Sequence, residues 1–110
     1  MILNIYKPKG CTSFYMVKSI RRIIQEKKVG HGGTLDPFAE GVLIIGTGRD
    51  TKKLTDITNE KKIYNAELKL GELTNTLDPE GVVIEKQKVP QLDTNIINNV
   101  LDSFLGETFQ

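Results

Sequence analysis

One cysteine and one histidine occur in the 110 residues of this chain, and each scarcity removes a class of chemistry. A lone Cys11 has no partner for an internal disulfide and no companions for a thiolate zinc cluster. Beside a turn, it reads as a small, half-covered residue rather than a nucleophile. His31 and Asp36 would give a metal two ligands in a flexible loop, too few for a dedicated site, so no metal is expected. No apolar run approaches the roughly 20 residues of a membrane span, and the chain does not open on a basic segment followed by a long apolar one. A soluble, cytoplasmic protein with no membrane partner is therefore expected. The phosphate-binding pattern Gly-x-x-x-x-Gly-Lys-Ser/Thr is missing, and Gly30-His-Gly32 lacks the third glycine of a dinucleotide fingerprint. No nucleotide cofactor is expected, nor any other cofactor.

What is present suits one small domain with a thin core, since 38% of the residues are hydrophobic. The formal charge of +1 conceals a polarity. Residues 1–62 carry 12 Lys or Arg against 6 Asp or Glu, a net of +6, whereas 63–110 carry 3 against 8, a net of −5. A basic half suits a polyanion, because phosphate contacts supply most non-specific nucleic-acid affinity.

Along the chain, residues 2–6 alternate weakly and end at Lys-Pro-Lys-Gly, which predicts a short strand and a tight turn. Thr12 or Ser13 can cap a helix reaching about Glu26, with Phe14, Val17, Ile20 and Ile24 on its apolar side. The continuous apolar run 42–45 reads as a buried strand, and 50–57 as a short helix. Residues 63–70 alternate cleanly and predict a half-buried strand. Residues 75–81 read as a turn and 82–85 as the strand returning along 63–70. Asp93 can cap a last helix whose stripe is Ile96, Ile97, Val100, Leu101, Phe104 and Leu105, with Gly106 as the stop. The order fits an α+β fold with a mixed, largely antiparallel sheet and flanking helices.

The most distinctive stretch is 30–43, Gly-His-Gly-Gly-Thr-Leu-Asp-Pro-Phe-Ala-Glu-Gly-Val-Leu. Its four glycines permit left-handed or crowded backbone that a partner could approach closely. Pro37 restricts Asp36 to extended backbone and presets the following φ, which holds one carboxylate at a rigid corner. An Asp-Pro pair alone signals only a turn or a helix cap. A carboxylate pair of the glycosidase kind would have to be Asp36 and Glu40, one turn apart on a short helix.

Lys7-Pro-x-Gly-x-Thr-Ser13, followed by Gly30-His-x-Gly-Thr-Leu-Asp-Pro-x-Ala-x-Gly-Val-Leu43, resembles in order and spacing the first two motifs of the bacterial TruB family of tRNA pseudouridine synthases. Lys62-x-Tyr64 leading to Leu70-Gly71, and Thr76-x-Asp78-x-x-Gly81, resemble its next signature, so the likeness runs almost from end to end. Gly106 to Gln110 resembles the start of a further segment. The resemblance implies an incomplete pseudouridine-synthase core: residues 1–110 would be the N-terminal portion of the catalytic domain, with its remainder and a C-terminal RNA-binding domain absent. It implies isomerisation of one T-loop uridine of tRNA, position 55 by convention, and a chain inactive on its own. Asp36 would be the catalytic aspartate. His31 would lie against the T-loop, Tyr64 against the everted uracil, and Gly32, Gly33, Thr34 and Leu35 would complete the substrate-binding loop, braced by Lys7 and Pro8. The family commonly has His-Asp where this chain has Phe14-Tyr15, a change expected to bear on helix packing.

Moving uracil from N1 to C5 needs neither metal nor redox cofactor but does need a carboxylate near C1′. An ionised aspartate could attack the sugar, stabilise positive charge on it, or remove a sugar proton. A buried carboxylate calls for a cationic partner; in the family this is an arginine beyond the end of this chain, and Arg21, Arg22 and Arg49 do not match its motif. Taking a base out of its stack costs a few kcal/mol, and stacking on a ring such as Tyr64 offsets roughly 1–3 of them. The contrasting reading is a non-catalytic RNA-binding module. The apolar stripe of the last helix further predicts self-association of a truncated core.

Overall fold

The computed structural model describes residues 1–107, and the chain divides into two compact units, Met1–Asn65 and Ala66–Gln110. The first runs β1 (Ile2–Lys7), α1 (Ser13–Ile24), β2 (Val29–His31), β3 (Gly41–Thr47), a 3-10 helix over Gly48–Lys53 and α2 (Leu54–Thr58). β3 is the middle strand, antiparallel to both neighbours, with Ile2 opposite Gly46, Lys7 opposite Gly41 and His31 opposite Ile45. The expected α+β, largely antiparallel architecture is what forms.

Alternation along the strands divides the residues between two faces. Leu3, Ile5, Val29, Leu43 and Ile45 share one, where α1 adds Met16, Val17, Ile20 and Ile24 to form the core. Thr12 caps α1, its hydroxyl accepting the Tyr15 N–H at 3.0 Å. The covered line along α1 is Ser13, Val17, Ile20 and Ile24, spaced four, three and four. Phe14 lies beside that line and is 53% exposed, contrary to its expected core position; the Lys18 ammonium covers its ring at 4.9 Å. Tyr15 is also exposed, so the Phe14-Tyr15 pair does not contribute to helix packing.

The other face carries Gly30, Gly32 and Gly46, and the side chain of Leu54 in α2 lies on them. A Cβ on Gly46 would approach Leu54 Cγ to 3.0 Å and Thr51 Cα to 3.1 Å, and one on Gly32 would meet Leu54 Cδ2 at 3.2 Å. Of the four glycines in 30–43, Gly32 therefore makes room for a leucine. Gly33 and Gly41 answer a different need, with φ of +105° and +139° and open space around them.

In the second unit β4 (Glu72–Thr74) pairs antiparallel with β5 (Val83–Lys86), and α3 (Thr94–Asp102) follows. Asp93 caps α3 as expected, accepting the Ile96 N–H at 2.8 Å. The helix ends at Asp102 with Ser103 as its C-cap, so Gly106 is not its stop. The strand expected over 63–70 does not form, and every residue in it is exposed. Alternating residues make a strand only where a partner takes the ladder bonds, and β5 is already taken. The Asn75 N–H bonds the Val82 carbonyl and its side chain accepts the Val82 N–H, which locks the turn and pairs the residues beside it. At Gly71 (φ +85°) the Gln87 N–H makes the last of these bonds and the chain turns out of the ladder.

Candidate active site

The stretch carrying Asp36 connects β2 to β3, and its backbone is tied down at Gly32, Leu35, Pro37 and Ala39. The Gly32 N–H donates to the Ile44 carbonyl at 2.8 Å, extending the β2–β3 ladder. The Ser13 hydroxyl accepts the Leu35 N–H at 2.9 Å and donates to the Leu35 carbonyl at 3.0 Å. Gly10 N–H donates to the Pro37 carbonyl at 2.8 Å. The Lys7 ammonium, wholly buried, donates to the Ala39 carbonyl at 2.7 Å and to the Pro8 carbonyl at 2.9 Å. Residues 7–13 thus form a cradle for the loop, so the two sequence motifs meet in space. Gly10 and Ser13 carry that cradle beside Lys7 and Pro8, although sequence reading names them only within the first motif, with Ser13 also as a helix cap; a polar residue opening an otherwise apolar helical row is the signal for Ser13's contact with the loop.

Asp36-Pro37-Phe38-Ala39 is a turn closed by the Ala39 N–H on the Asp36 carbonyl at 3.0 Å, and no helix follows it. Proline at the second position fits such a turn, and this replaces the short helix expected to hold Glu40. Asp36 is exposed, and among the described residues its carboxylate has no hydrogen-bond or ion-pair partner. Glu40 is engaged elsewhere: it accepts from the Tyr6 hydroxyl and lies 3.8 Å from the Lys9 ammonium. Its hydrogen bond, with a little desolvation and its negative charge, holds the Tyr6 phenol above its usual pKa. Among the described residues, Asp36 therefore stands as a carboxylate without a partner.

A cleft of about 410 Å³ lies beside the loop, lined by Gly32, Gly33, Thr34 and Leu35, by Val42, Leu43 and Ile44, and by Ile57, 60–63 and Tyr64. Tyr64 is 67% exposed and belongs to no strand. The cleft brings Tyr64 together with four loop residues; neither Asp36 nor His31 belongs to its lining, though Asp36 directly follows the lining residue Leu35. Strand alternation explains His31: opposite Ile45, it belongs to the α1 face. Its Nδ1 is 2.5 Å from the Gly33 carbonyl. Since a carbonyl only accepts, Nδ1 carries the proton and a neutral ring keeps Nε2 as an acceptor.

Residues 21–110 match the family model described as TruB family pseudouridylate synthase, N-terminal domain. The chain belongs to the TruB family. A tRNA pseudouridine synthase B of Clostridium acetobutylicum is 49% identical over 109 residues, covering 99% of this chain and 37% of that protein. The proteins of the same name from Clostridium kluyveri and Dehalococcoides mccartyi are 50% and 41% identical, again over 109 residues and 99% of this chain, and 37% and 36% of their own lengths. This TruB-family chain thus spans little more than a third of its curated relatives. Within that third, the geometry offers a carboxylate that, among the described residues, has no ion pair, on a turn whose flanking peptides are both anchored. Such a group is available to attack, to take a proton or to stabilise positive charge. Among the described residues, no helix is long and apolar enough to cross a membrane.

Proposed function

We propose that this chain is the N-terminal portion of the catalytic domain of a cytoplasmic tRNA pseudouridine synthase acting on a T-loop uridine, position 55 by convention. The remainder of that domain and a C-terminal RNA-binding domain lie outside it, and the chain alone is inactive. The observation that carries the reading is the anchored turn: the Leu35 and Pro37 carbonyls, on either side of Asp36, are pinned by Ser13 and Gly10, while among the described residues the carboxylate has no partner, one residue from a cleft whose wall includes Tyr64.

In the reaction the C1′–N1 bond breaks, uracil turns, a C1′–C5 bond forms, N1 takes up a proton and the C5 hydrogen leaves to solvent. Asp36 acts at C1′ on the flipped nucleotide, and Tyr64 lies against the base in the cleft formed with Gly32, Gly33, Thr34 and Leu35. His31, on the other face of the sheet, contacts the T-arm through Nε2 as a separate anchor. The basic residues of 1–62 attract the phosphates. No cofactor takes part.

In the full-length protein carrying this sequence, Asp36→Asn keeps the side chain's shape and removes its charge. Tritium release from C5-labelled tRNA is expected to disappear while tRNA binding stays within about threefold, a factor worth less than 1 kcal/mol. Turnover that survives the substitution sinks the role of Asp36. The net charge of +6 on residues 1–62 favours a second reading, a non-catalytic RNA-binding module; that reading is supported if the unsubstituted full-length protein binds tRNA and releases no tritium.

A further inference from the structure

The hydroxyl of Ser13 is 2% exposed and makes both of its strong bonds to one residue, accepting the Leu35 N–H and donating to the Leu35 carbonyl. Thr12 already supplies the cap of α1, so Ser13 is not needed there. Burial of a hydroxyl in a row otherwise filled by Val17, Ile20 and Ile24 is costly unless both its donor and its acceptor are used. Here both are used, on the two peptide units that meet at Leu35, the second of which leads into Asp36.

We infer that Ser13 is a positioning residue for the proposed reaction: it sets the direction of the Asp36 carboxylate by clasping Leu35, the residue before it, from the first turn of α1. The inference rests on the proposed function and extends it. The Leu35 carbonyl belongs to the peptide unit of the Asp36 nitrogen, so its bond to Ser13 fixes the rotation of that unit. Gly10 fixes the Pro37 carbonyl on the other side. The carboxylate has no partner of its own among the described residues, so its placement comes through the backbone. A hydroxyl can give and take a bond at the same point, which neither alanine nor a weakly bonding thiol can do. Misplacement of a reacting group by about 1 Å can cost 10²-fold in rate.

The test compares Ser13→Cys, nearly equal in volume, with Ser13→Thr, which restores a hydroxyl, and with Val17→Ala, which removes a buried apolar group one turn along the same helix face. All are made in the full-length protein, and kcat and KM for tRNA are measured per folded molecule. Ser13→Cys is expected to lower kcat by about 10- to 100-fold with KM within about threefold, and Ser13→Thr to recover most of kcat. Val17→Ala is expected to lower thermal stability while leaving kcat within about twofold. A kcat for Ser13→Cys within twofold of the parent overturns the inference, as does an equal loss in Val17→Ala. If the parent itself makes no pseudouridine, the proposed function fails instead, and exchange of the Leu35 amide decides the clasp: acceleration of about tenfold or more in Ser13→Cys, reversed in Ser13→Thr, supports it, and unchanged exchange overturns it.

Discussion

Gly33 and Gly46 each exclude a side chain, for unrelated reasons. Gly33 holds φ at +105° with nothing within 4 Å of where its Cβ would be, so alanine there strains only the backbone, by about 1–3 kcal/mol. Gly46 has room for Leu54 and no more, so alanine there forces Leu54 and the Thr51 backbone apart, again at about 1–3 kcal/mol. The two causes separate in a double-mutant cycle read by urea unfolding. Leu54→Val should offset part of the Gly46→Ala loss, giving a coupling above about 0.5 kcal/mol, and should add independently to Gly33→Ala. The other residue-scale prediction concerns Tyr6. Glu40 raises its phenol pKa in the folded chain, so the bond's contribution is complete below the unfolded value of about 10 and is lost as pH rises through the higher folded value. NMR titration of the Tyr6 ring should show a midpoint above about 10 that falls in Glu40→Ala.

At the scale of elements, the first unit was legible because each pattern there has its partner within the unit. The apolar run that became β3 is bordered on both edges, by β1 and β2, and α1 covers the face bearing Leu43 and Ile45. The capping residues Thr12 and Asp93 act as local chemistry dictates. Residues 63–70 carried the cleanest alternation and still formed no strand, because alternation reports which side chains could be buried and says nothing about an available edge. The site divides in the same way. Glycine, proline and the Asp-Pro corner were readable since φ restrictions are local. The bonds from Gly10 and Ser13, 27 and 22 residues from their partners Pro37 and Leu35, depend on how α1 packs. The separation of His31 from the cleft follows instead from the β2–β3 register, His31 opposite Ile45.

At the scale of the whole chain, the charge polarity follows the division into units. Residues 63–65 are uncharged, so Met1–Asn65 carries the net +6 and Ala66–Gln110 the net −5. The basic unit also holds the anchored turn and the cleft, which puts the proposed attraction for phosphate beside the proposed chemistry. The acidic unit has a different property. Its α3 has nine residues and no buried side chain; Ile96, Ile97, Val100 and Leu101 are 42–56% exposed, with Phe104 and Leu105 beyond them at 68% and 76%. An isolated helix shorter than about 12 residues is marginal in water, so a stripe of this composition gains most from being covered. For the 110-residue chain in isolation, the cover available is a second copy. Sedimentation velocity should therefore show association that grows across the micromolar range, and Ile97→Glu with Leu101→Glu should return the chain to monomer, because two buried like charges per copy would oppose each other in a self-complementary contact. A parent chain that stays monomeric throughout that range would rule out self-association through α3.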